Sequence, residues 1–549
     1  LLSFAAADRA AAQSDVPPNV EAIRAEALRP NDSDVGRPLP LAAHWQNGDR
    51  DQDDDYRTLY QMSLIEDGHH VLPALSFPSP TASPGDDAED ARYSAPVLRQ
   101  LREWDLPFSL NGTQWESWMY AKKDGPFAQF HEVEPEDSPM VLNTEGEIEN
   151  RLSPFGPVKH WREVGRIWTD SEWMALLQSW YPDPPRVIML SNNESGKLRW
   201  HEAEQSARYL EQHGEGRDDT FKRRVVGDGW IERYPALHEG MREGLRESSW
   251  RENATFVGYG VIGLEFMGRW GGWGKYSMHV PGRISPWPMA WDGGSPSYYT
   301  HNWNPSTDHK VWSPQIQSMN WLFMLEQVYE QRPDFWFEIS VWDGSPSPHH
   351  PKYDEQKDQV QAYLDAGQTY PPQRYGGYVQ FGMWLLQPRV VREFRGHMHR
   401  RDDHEAHTLA LVEAVDRVHE NEVLRRFWRD STLVADRAQA HPYQANVPEE
   451  YAEVDRWFLL EADANPDRPW ELGTELSVFA LARVREAEGG GREWLIYAHA
   501  PIEAQSDVRV RLPEYGPVTI DVARGGSFYH VRENAGEATL VLADAVNEE

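Results

Sequence analysis

In the stretch 66–435, short apolar runs alternate with longer stretches in which apolar residues recur at helical spacing. Short apolar runs bounded by polar residues are typical of buried strands, and the longer stretches are typical of amphipathic helices. The pattern predicts strands at 70–76, 107–110, 140–142, 187–190, 255–261, 289–291, 335–341 and 378–385. It predicts helices at 158–168, 171–180, 202–213, 218–247, 314–331 and 404–421.

Strands that alternate with helices predict a parallel sheet with helices on its faces. Eight such units fit a (β/α)8 TIM barrel, in which the chemistry lies at the carboxyl ends of the strands. A doubly wound open sheet is the alternative, and it would need a glycine-rich phosphate turn after the first strand. The first predicted strand instead continues into Phe77 and Pro78. We therefore predict an α/β fold of the barrel type.

The two ends of the chain have a different pattern. The stretch 1–65 is rich in Pro and Asp, and we interpret it as an N-terminal arm lying on the main barrel domain, 66–435. Short apolar runs at close intervals in 455–549 predict a C-terminal antiparallel β-sandwich. The Ala-rich start resembles the end of an export signal, so we expect a secreted or periplasmic prokaryotic protein.

Composition narrows the function classes. The 549 residues include 54 Lys and Arg against 88 Asp and Glu, a net charge of −34, which would repel nucleic acid. No apolar run is long enough for a membrane span. The chain has no Cys, which excludes disulfides, thiolate metal sites and a Cys nucleophile. An acidic, Arg-rich surface suits high salt, although GC-rich coding would produce the same bias.

The 25 Trp residues point towards carbohydrate. Indole rings offer flat apolar faces with one polar edge, on which the C–H faces of sugars can stack. A Trp-rich core is the alternative, and we expect most of these residues to belong to it. The expected partner is a carbohydrate substrate, with no nucleic acid and no membrane span, and the oligomeric state stays open.

Two carboxylates stand out from the apolar pattern. Glu194 follows Asn193 just after the predicted fourth strand, and Glu338 lies inside the apolar run of the seventh. A buried Glu is costly unless it is paired or functional. The alternatives are a Glu at a helix amino terminus for Glu194 and a buried ion pair for Glu338. Rival carboxylates follow other predicted strands, namely Glu116, Glu145 and Glu265.

This arrangement resembles the retaining glycoside hydrolases of clan A, the (β/α)8 group that includes β-galactosidases, agarases and cellulases. In that clan an Asn-Glu pair at the end of strand four supplies the acid/base, and a Glu on strand seven is the nucleophile. The resemblance implies Glu194 as acid/base, Glu338 as nucleophile and Asn193 as the ligand of the sugar 2-hydroxyl. It covers 66–435 in architecture and rests on short motifs.

The clan also implies further contacts. A Trp on strand eight is common there and Trp384 matches it, while a Tyr after strand six would correspond to Tyr298, Tyr299 or His301. The remaining candidates for substrate binding follow predicted strands or lie on aromatic loops. They are Asn111, Trp115, Trp273, Trp291 and Trp342. No motif for a cofactor or a metal site is present, and we expect neither.

The sequence thus predicts a retaining glycoside hydrolase that cleaves β-glycosidic bonds in a polysaccharide or oligosaccharide. The salt-suited composition and the aromatic residues favour a galactan of algal origin, and whether it is sulfated stays open. One alternative is a non-catalytic carbohydrate-binding protein on a degenerate barrel. Another is an inverting hydrolase or a lyase that uses other carboxylates.

Overall fold

A computed structural model describes most of the chain. The described residues are 16–31, 33–44, 56–77, 88–112, 125–130, 132–192, 197–259, 287–299, 321–322, 325–326, 328–343, 348, 353–354, 357–358, 361, 371–394, 401–434, 478–500, 503–512, 515–533 and 538–543.

The centre of the molecule is a parallel (β/α)8 barrel. Its strands pair in parallel in the order of the chain, and two short consecutive strands together occupy the sixth position. They are β1 (Leu41–His44), β2 (Ala74–Ser76), β3 (Phe108–Asn111), β6 (Val187–Leu190), β7 (Ala254–Tyr259), β8 (Gly293–Ser295), β9 (Ser297–Tyr299), β10 (Trp336–Trp342) and β11 (Val390–Glu393). The first strand pairs with β11 and forms a parallel bridge between Ala42 and Val71, just before β2, which closes the ring.

The predicted strand count contains two errors that cancel. The true first strand, β1, lies inside the stretch predicted to be an arm, because it directly follows Pro38 and Pro40 and is half alanine, a residue depleted in strands. The predicted third strand, Met140–Leu142 (β4), instead forms an antiparallel hairpin with Ile148–Leu152 (β5) outside the barrel. As a result β6 and β10 do occupy barrel positions four and seven.

The sixth and eighth strands were misplaced. Of the predicted residues 289–291, the first two belong to a 3-10 turn, Trp287–Ala290. The strand itself begins at Gly293. Residues 378–385 belong to a helix, Pro372–Leu386, and the eighth strand is β11. All helix residues from 374 to 386 are buried, because the helix lies between the barrel and the C-terminal sheet. An all-round apolar helix of this kind has the same sequence pattern as a buried strand.

The described helices surround the barrel. They are α1 (Asn19–Leu28), α2 (Tyr56–Glu66), α3 (Ala88–Trp104), α4 (Val158–Thr169), α5 (Glu172–Trp180), α6 (Ala207–His213), α7 (Asp219–Gly244), α8 (Ser248–Asn253), α9 (Pro372–Leu386), α10 (Arg401–Glu420) and α11 (Glu422–Asp430). The amino-terminal cap of α5 is Ser171, whose hydroxyl accepts from the Met174 amide at 3.2 Å.

Helices α4 and α7 lie backbone to backbone. A Cβ added at Gly240 would collide with the carbonyl of Arg162, and one added at Gly165 would collide with the carbonyl of Leu237. The hydroxyl of Thr169 donates to the carbonyl of Met241 at 2.6 Å across the same contact. Glycine is therefore required on both helices for this approach.

The C-terminal unit is an antiparallel sandwich. One sheet joins β12 (Thr432–Leu433), β13 (Phe479–Glu486), β14 (Arg492–His499), β17 (Ser527–Arg532) and β18 (Ala538–Ala543), and the other pairs β15 (Gln505–Leu512) with β16 (Gly516–Val522). Alternation along β13 and β14 directs Ala480 and Ile496 to the sandwich core. It directs Phe479 and Tyr497 to the barrel core, against α9. Among the described residues, no helix is long and apolar enough to cross a membrane.

Candidate active site

Glu338 points into the barrel from β10. Its side chain is 0% exposed, and both carboxylate oxygens accept hydrogen bonds. The Arg392 guanidinium donates from Nε to Oε2 at 2.9 Å and from Nη2 to Oε1 at 3.0 Å, and the Trp336 indole donates to Oε1 at 2.8 Å. This two-pronged contact with arginine balances the charge of the carboxylate inside the barrel.

Arg392 joins opposite walls of the barrel. It lies on β11, is 0% exposed, and reaches across the interior to β3. There Nη1 donates to Oδ1 of Asn111 at 3.0 Å, and Nη2 donates to the hydroxyl of Ser109 at 3.0 Å. One guanidinium therefore fixes both the carboxylate of Glu338 and the side-chain amide of Asn111.

The first residue of β10, Trp336, carries two cation–π contacts. The guanidinium groups of Arg186 and Arg389 lie over its ring, 5.0 and 4.9 Å from the centroid. Burial lowers the pKa of Arg389 to about 10. Because strand residues alternate in direction, the inward positions that follow Glu338 towards the mouth are Ser340 and then Trp342.

The carboxyl end of the barrel carries an aromatic cluster. The Tyr259 hydroxyl donates to that of Tyr299 at 2.8 Å, and the Tyr299 hydroxyl is 3.0 Å from that of Ser340. Trp342, 7% exposed, contacts the rings of Tyr299 and Phe394 with centroids 5.7 and 5.5 Å apart. Trp342 thus lies at the mouth, where the sequence places it.

The end of barrel strand four is held to strand five. The side-chain amide of Asn192 donates to the carbonyl of Tyr259 at 2.9 Å, and its oxygen accepts from the Tyr259 backbone amide. The preceding Ser191 faces the helix layer, where its hydroxyl is 2.8 Å from Nε2 of His238. Burial lowers the pKa of His238 to about 3, so this pair is a neutral hydrogen bond inside the packed wall. It is not accessible to a substrate in the barrel.

Two further carboxylates lie at the carboxyl ends of strands seven and eight and contact the surrounding helices. Asp343 follows β10 directly and is 3.5 Å from Nε2 of His407, and Glu393 ends β11 and accepts from the Tyr375 hydroxyl at 3.3 Å. Both carboxylates are nearly fully buried. Among the described residues, no group of three or more His, Asp or Glu side chains is arranged to hold a metal ion.

Three of the predicted substrate contacts are placed away from the mouth. The alternation along β9 turns Tyr299 into the barrel and Tyr298 outwards, where its hydroxyl donates to the carbonyl of Tyr378 at 3.2 Å. Trp291 packs between α7 and the sheet and donates to the Ser191 hydroxyl at 3.2 Å. Trp384 lies on α9 rather than on a strand and contacts Trp428 and Phe528.

Of the other predicted residues, Asn111 and Glu338 do face the barrel interior together. The remaining ones fall outside the described residues: Asn193, Glu194, Trp115, Trp273 and His301.

Sequence reasoning missed Arg392, the residue that organises the site. Its signal is a charged pair, Arg392-Glu393, directly after two valines in a buried strand. The signal was overlooked because the apolar helix α9 occupied the place of strand eight in the predicted pattern. Tyr259 was missed as well: it lies inside the predicted strand 255–261, whereas the observed strand ends at this residue.

No protein-family model and no curated protein matches the sequence. Among solved structures, the chain is similar to the catalytic domain of a beta-amylase from Paenibacillus polymyxa, with a TM-score of 0.36 and 8% identity over 69% of this chain and 98% of that chain. It is similar to a GH5-4 broad-specificity endoglucanase from an uncultured bacterium, with a TM-score of 0.34 and 8% identity over 69% and 93%. For a family 51 alpha-L-arabinofuranosidase from Bifidobacterium longum the TM-score is 0.29, with 11% identity over 86% and 84%. At these TM-scores the similarity adds nothing to the architecture described above.

Proposed function

We propose that this chain is a glycoside hydrolase that cleaves β-glycosidic bonds with retention of configuration. The observation that carries the proposal is Glu338, an inward-facing carboxylate on barrel strand seven with a positively charged partner. The same barrel's strand four ends at Leu190, four residues before Glu194. Residues that follow the strands of a barrel belong to the loops at its mouth, which supports a role for Glu194 there, whereas Glu338 lies deeper on strand seven.

The chemistry would proceed by double displacement. Glu338 attacks the anomeric carbon and forms a glycosyl-enzyme ester, while Glu194 protonates the leaving oxygen and then deprotonates the water that hydrolyses the ester. Retention requires the two carboxyl groups to be roughly 5–5.5 Å apart. Arg392 orients the nucleophile, and Trp342 with Tyr299 supplies an aromatic surface for the sugar at the mouth.

The finer assignment concerns substrate and location. An acidic chain suited to salt, with an aromatic cluster at the barrel mouth, supports a galactose-containing polysaccharide of marine algae, sulfated or not, as substrate. An enzyme for such a polymer would act outside a prokaryotic cell. A screen of agar, carrageenan, porphyran and neutral galactans, run at low and high NaCl with reducing-end detection, tests both the sugar and the salt requirement.

A second candidate assigns the chemistry to other carboxylates on the same barrel. Both oxygens of Glu338 are already bonded to Arg392 and Trp336, and Ser340 and Trp342 lie between it and the mouth. Asp343 stands at the strand end itself. An inverting hydrolase or a lyase that uses Asp343 would leave Glu338 as a structural ion pair.

A mechanism-based label distinguishes the two candidates. A 2-deoxy-2-fluoro β-galactosyl fluoride should accumulate an ester on the enzyme, and peptide mass mapping should locate it on Glu338. The Glu338→Gln variant should take up no label and lose at least about 10³-fold in kcat, whereas Asp343→Asn should keep the label. Thermal unfolding of each variant shows whether it is folded.

Other outcomes are equally informative. An ester on Asp343 would transfer the nucleophile role to that residue. Hydrolysis without any ester, with inversion seen by NMR of the first product, would reject retention. Hydrolysis that survives both Glu194→Gln and Glu338→Gln would overturn the catalytic assignment altogether.

A further inference from the structure

Two polar groups inside the barrel have no hydrogen-bond partner among the described residues. They are Nδ2 of Asn111 and the hydroxyl of Ser295. Asn111 is 5% exposed and Ser295 is 0% exposed, so bulk water does not satisfy either group. Buried polar groups are nearly always hydrogen-bonded in folded proteins, so each of the two calls for a partner that the described residues do not supply.

The orientation of the Asn111 amide is fixed. Its Oδ1 accepts from Nη1 of Arg392 at 3.0 Å. Arginine has donors and no acceptor, so the atom that faces it must be the amide oxygen, and a flipped amide is excluded. The two N–H bonds of Nδ2 are therefore directed away from Arg392. Since Asn111 is the last residue of β3, they lie at the mouth end of the barrel.

Ser295 approaches the same carboxylate from the neighbouring strand. Gly293 and Gly294 pair with Trp336 and Phe337, so the continued register puts Ser295 beside Glu338. Paired residues point to the same face, which turns Ser295 into the barrel together with Glu338. The two unsatisfied groups thus flank the Glu338–Arg392 pair, one on the adjacent strand and one on the opposite wall.

We propose that Asn111 and Ser295 determine specificity by binding two hydroxyl groups of the one sugar ring that is held against Glu338. Asn111 donates through Nδ2, and Ser295 donates or accepts through its hydroxyl. A sugar hydroxyl can do both, so it complements either group. Because Arg392 holds Asn111 and Glu338 at once, recognition of the hydroxyl and orientation of the carboxylate are coupled. This inference rests on the proposed hydrolase function.

The test compares Asn111→Ala and Ser295→Ala with the wild type on 4-nitrophenyl β-D-galactopyranoside and its 2-, 3-, 4- and 6-deoxy analogues. Loss of the contacted hydroxyl should lower the wild-type kcat/KM about tenfold, the cost of one hydrogen bond to a site built for it. Asn111→Ala should lose that discrimination at one ring position, and Ser295→Ala at another.

Ser109→Ala is the matched control. It also removes an acceptor of Arg392, but its hydroxyl is already satisfied in the structure. It should lower kcat/KM by the same factor on every analogue and keep the discrimination of the wild type.

Other outcomes would reject either the subsite or the hydrolase function, and the two cases can be told apart. If Asn111→Ala and Ser295→Ala slow all analogues equally, the two groups bind ordered water and the inference is wrong while the hydrolase stands. If the wild type cleaves no β-glycoside, the hydrolase is refuted, and calorimetric titration with galactose tests the subsite alone. Binding that Asn111→Ala abolishes would then keep the subsite, and absent or unchanged binding would reject it.

Discussion

Burying the carboxylate of Glu338 inside the barrel carries a desolvation penalty, and its hydrogen-bond and ion-pair partners offset that penalty. Its oxygens receive three hydrogen bonds from Arg392 and Trp336, and the guanidinium uses its other N–H groups on Asn111 and Ser109. A buried ion pair owes its stability to such complete bonding. Removal of one partner leaves an uncompensated charge in the barrel, so the pair also couples the site to the stability of the fold.

We predict that Arg392→Met lowers the free energy of unfolding by about 3–5 kcal/mol, because it leaves the buried carboxylate of Glu338 without a charged partner. The double variant Arg392→Met, Glu338→Met should recover most of that loss, since it replaces both charges by apolar groups of similar length. Urea denaturation followed by circular dichroism measures both. A loss below about 1 kcal/mol in the single variant would mean that Glu338 reaches solvent.

At this scale the sequence shows which residues are unusual but not which way they face. Glu338 was identified because a carboxylate interrupts an apolar run, and the structure does place it inside the barrel. The sequence leaves Tyr298 and Tyr299 open as the residue that faces the site, because a shift of one residue along a strand reverses the direction of the side chain. Only the pairing of β9 with β10 decides between them.

Among the elements, α9 connects the two halves of the molecule. Its Gly377 lies against the backbone of the C-terminal unit, where an added Cβ would clash with the carbonyl of Arg524. The Tyr497 hydroxyl donates to the Gly377 carbonyl at 2.7 Å. Because the helix is packed on both sides, it has no solvent-exposed polar face. The helical period of apolar and polar residues is therefore missing, and the apolar run predicted a strand.

His499 lies in this contact between α9 and the sandwich. Its ring stacks on Phe479 with centroids 5.6 Å apart, and neither ring nitrogen has a hydrogen-bond partner among the described residues. Burial, with a smaller effect of Arg374, lowers the pKa of His499 to about 3. The unfolded chain, with an ordinary histidine pKa near 6.5, therefore binds the proton more tightly than the folded chain.

We predict that His499 makes the fold acid-sensitive. Between about pH 6.5 and pH 3 the unfolded state carries the extra proton, so stability falls as the pH decreases and is unaffected by this group above pH 6.5. The loss attributable to His499 between pH 7 and pH 5 is about 2 kcal/mol. His499→Phe should remove that part of the slope in urea titrations at a series of pH values.

The control is His213→Gln, at the partly exposed end of α6, where burial lowers the pKa of the histidine less than it does at His499. It should therefore remove a smaller part of the slope than His499→Phe does. The other buried histidines contribute equally to the wild type and to both variants. Equal slopes for the wild type and His499→Phe would show that the contact between α9 and the sheet opens before His499 is protonated.

For the molecule as a whole, the dominant quantity is the net charge of −34. Surface pairs such as Lys159–Asp137, 3.1 Å apart and well exposed, contribute about 0–1 kcal/mol each and weaken with salt. Repulsion among the excess carboxylates acts in the opposite sense, since it destabilises the compact state and salt relieves it. With 88 acidic against 54 basic side chains, repulsion should prevail.

We therefore predict that the Tm rises by several degrees between 0.05 and 1 M NaCl, as the screening length falls from above about 10 Å to about 3 Å.

A triple variant, Glu211→Gln, Glu252→Gln and Glu420→Gln, removes three exposed negative charges and leaves a net charge of −34 + 3 = −31. It should unfold at a higher Tm than the wild type at 0.05 M and converge with it at 1 M, because screening makes the removed charges irrelevant. Differential scanning calorimetry measures each Tm, and equiosmolal sucrose is the control. Sucrose is excluded from the protein surface but does not screen charge, so a rise in Tm that NaCl causes and sucrose does not is due to screening. A Tm that falls with NaCl would mean that attractive ion pairs outweigh the repulsion, and the acidic composition would then have no bearing on salt tolerance.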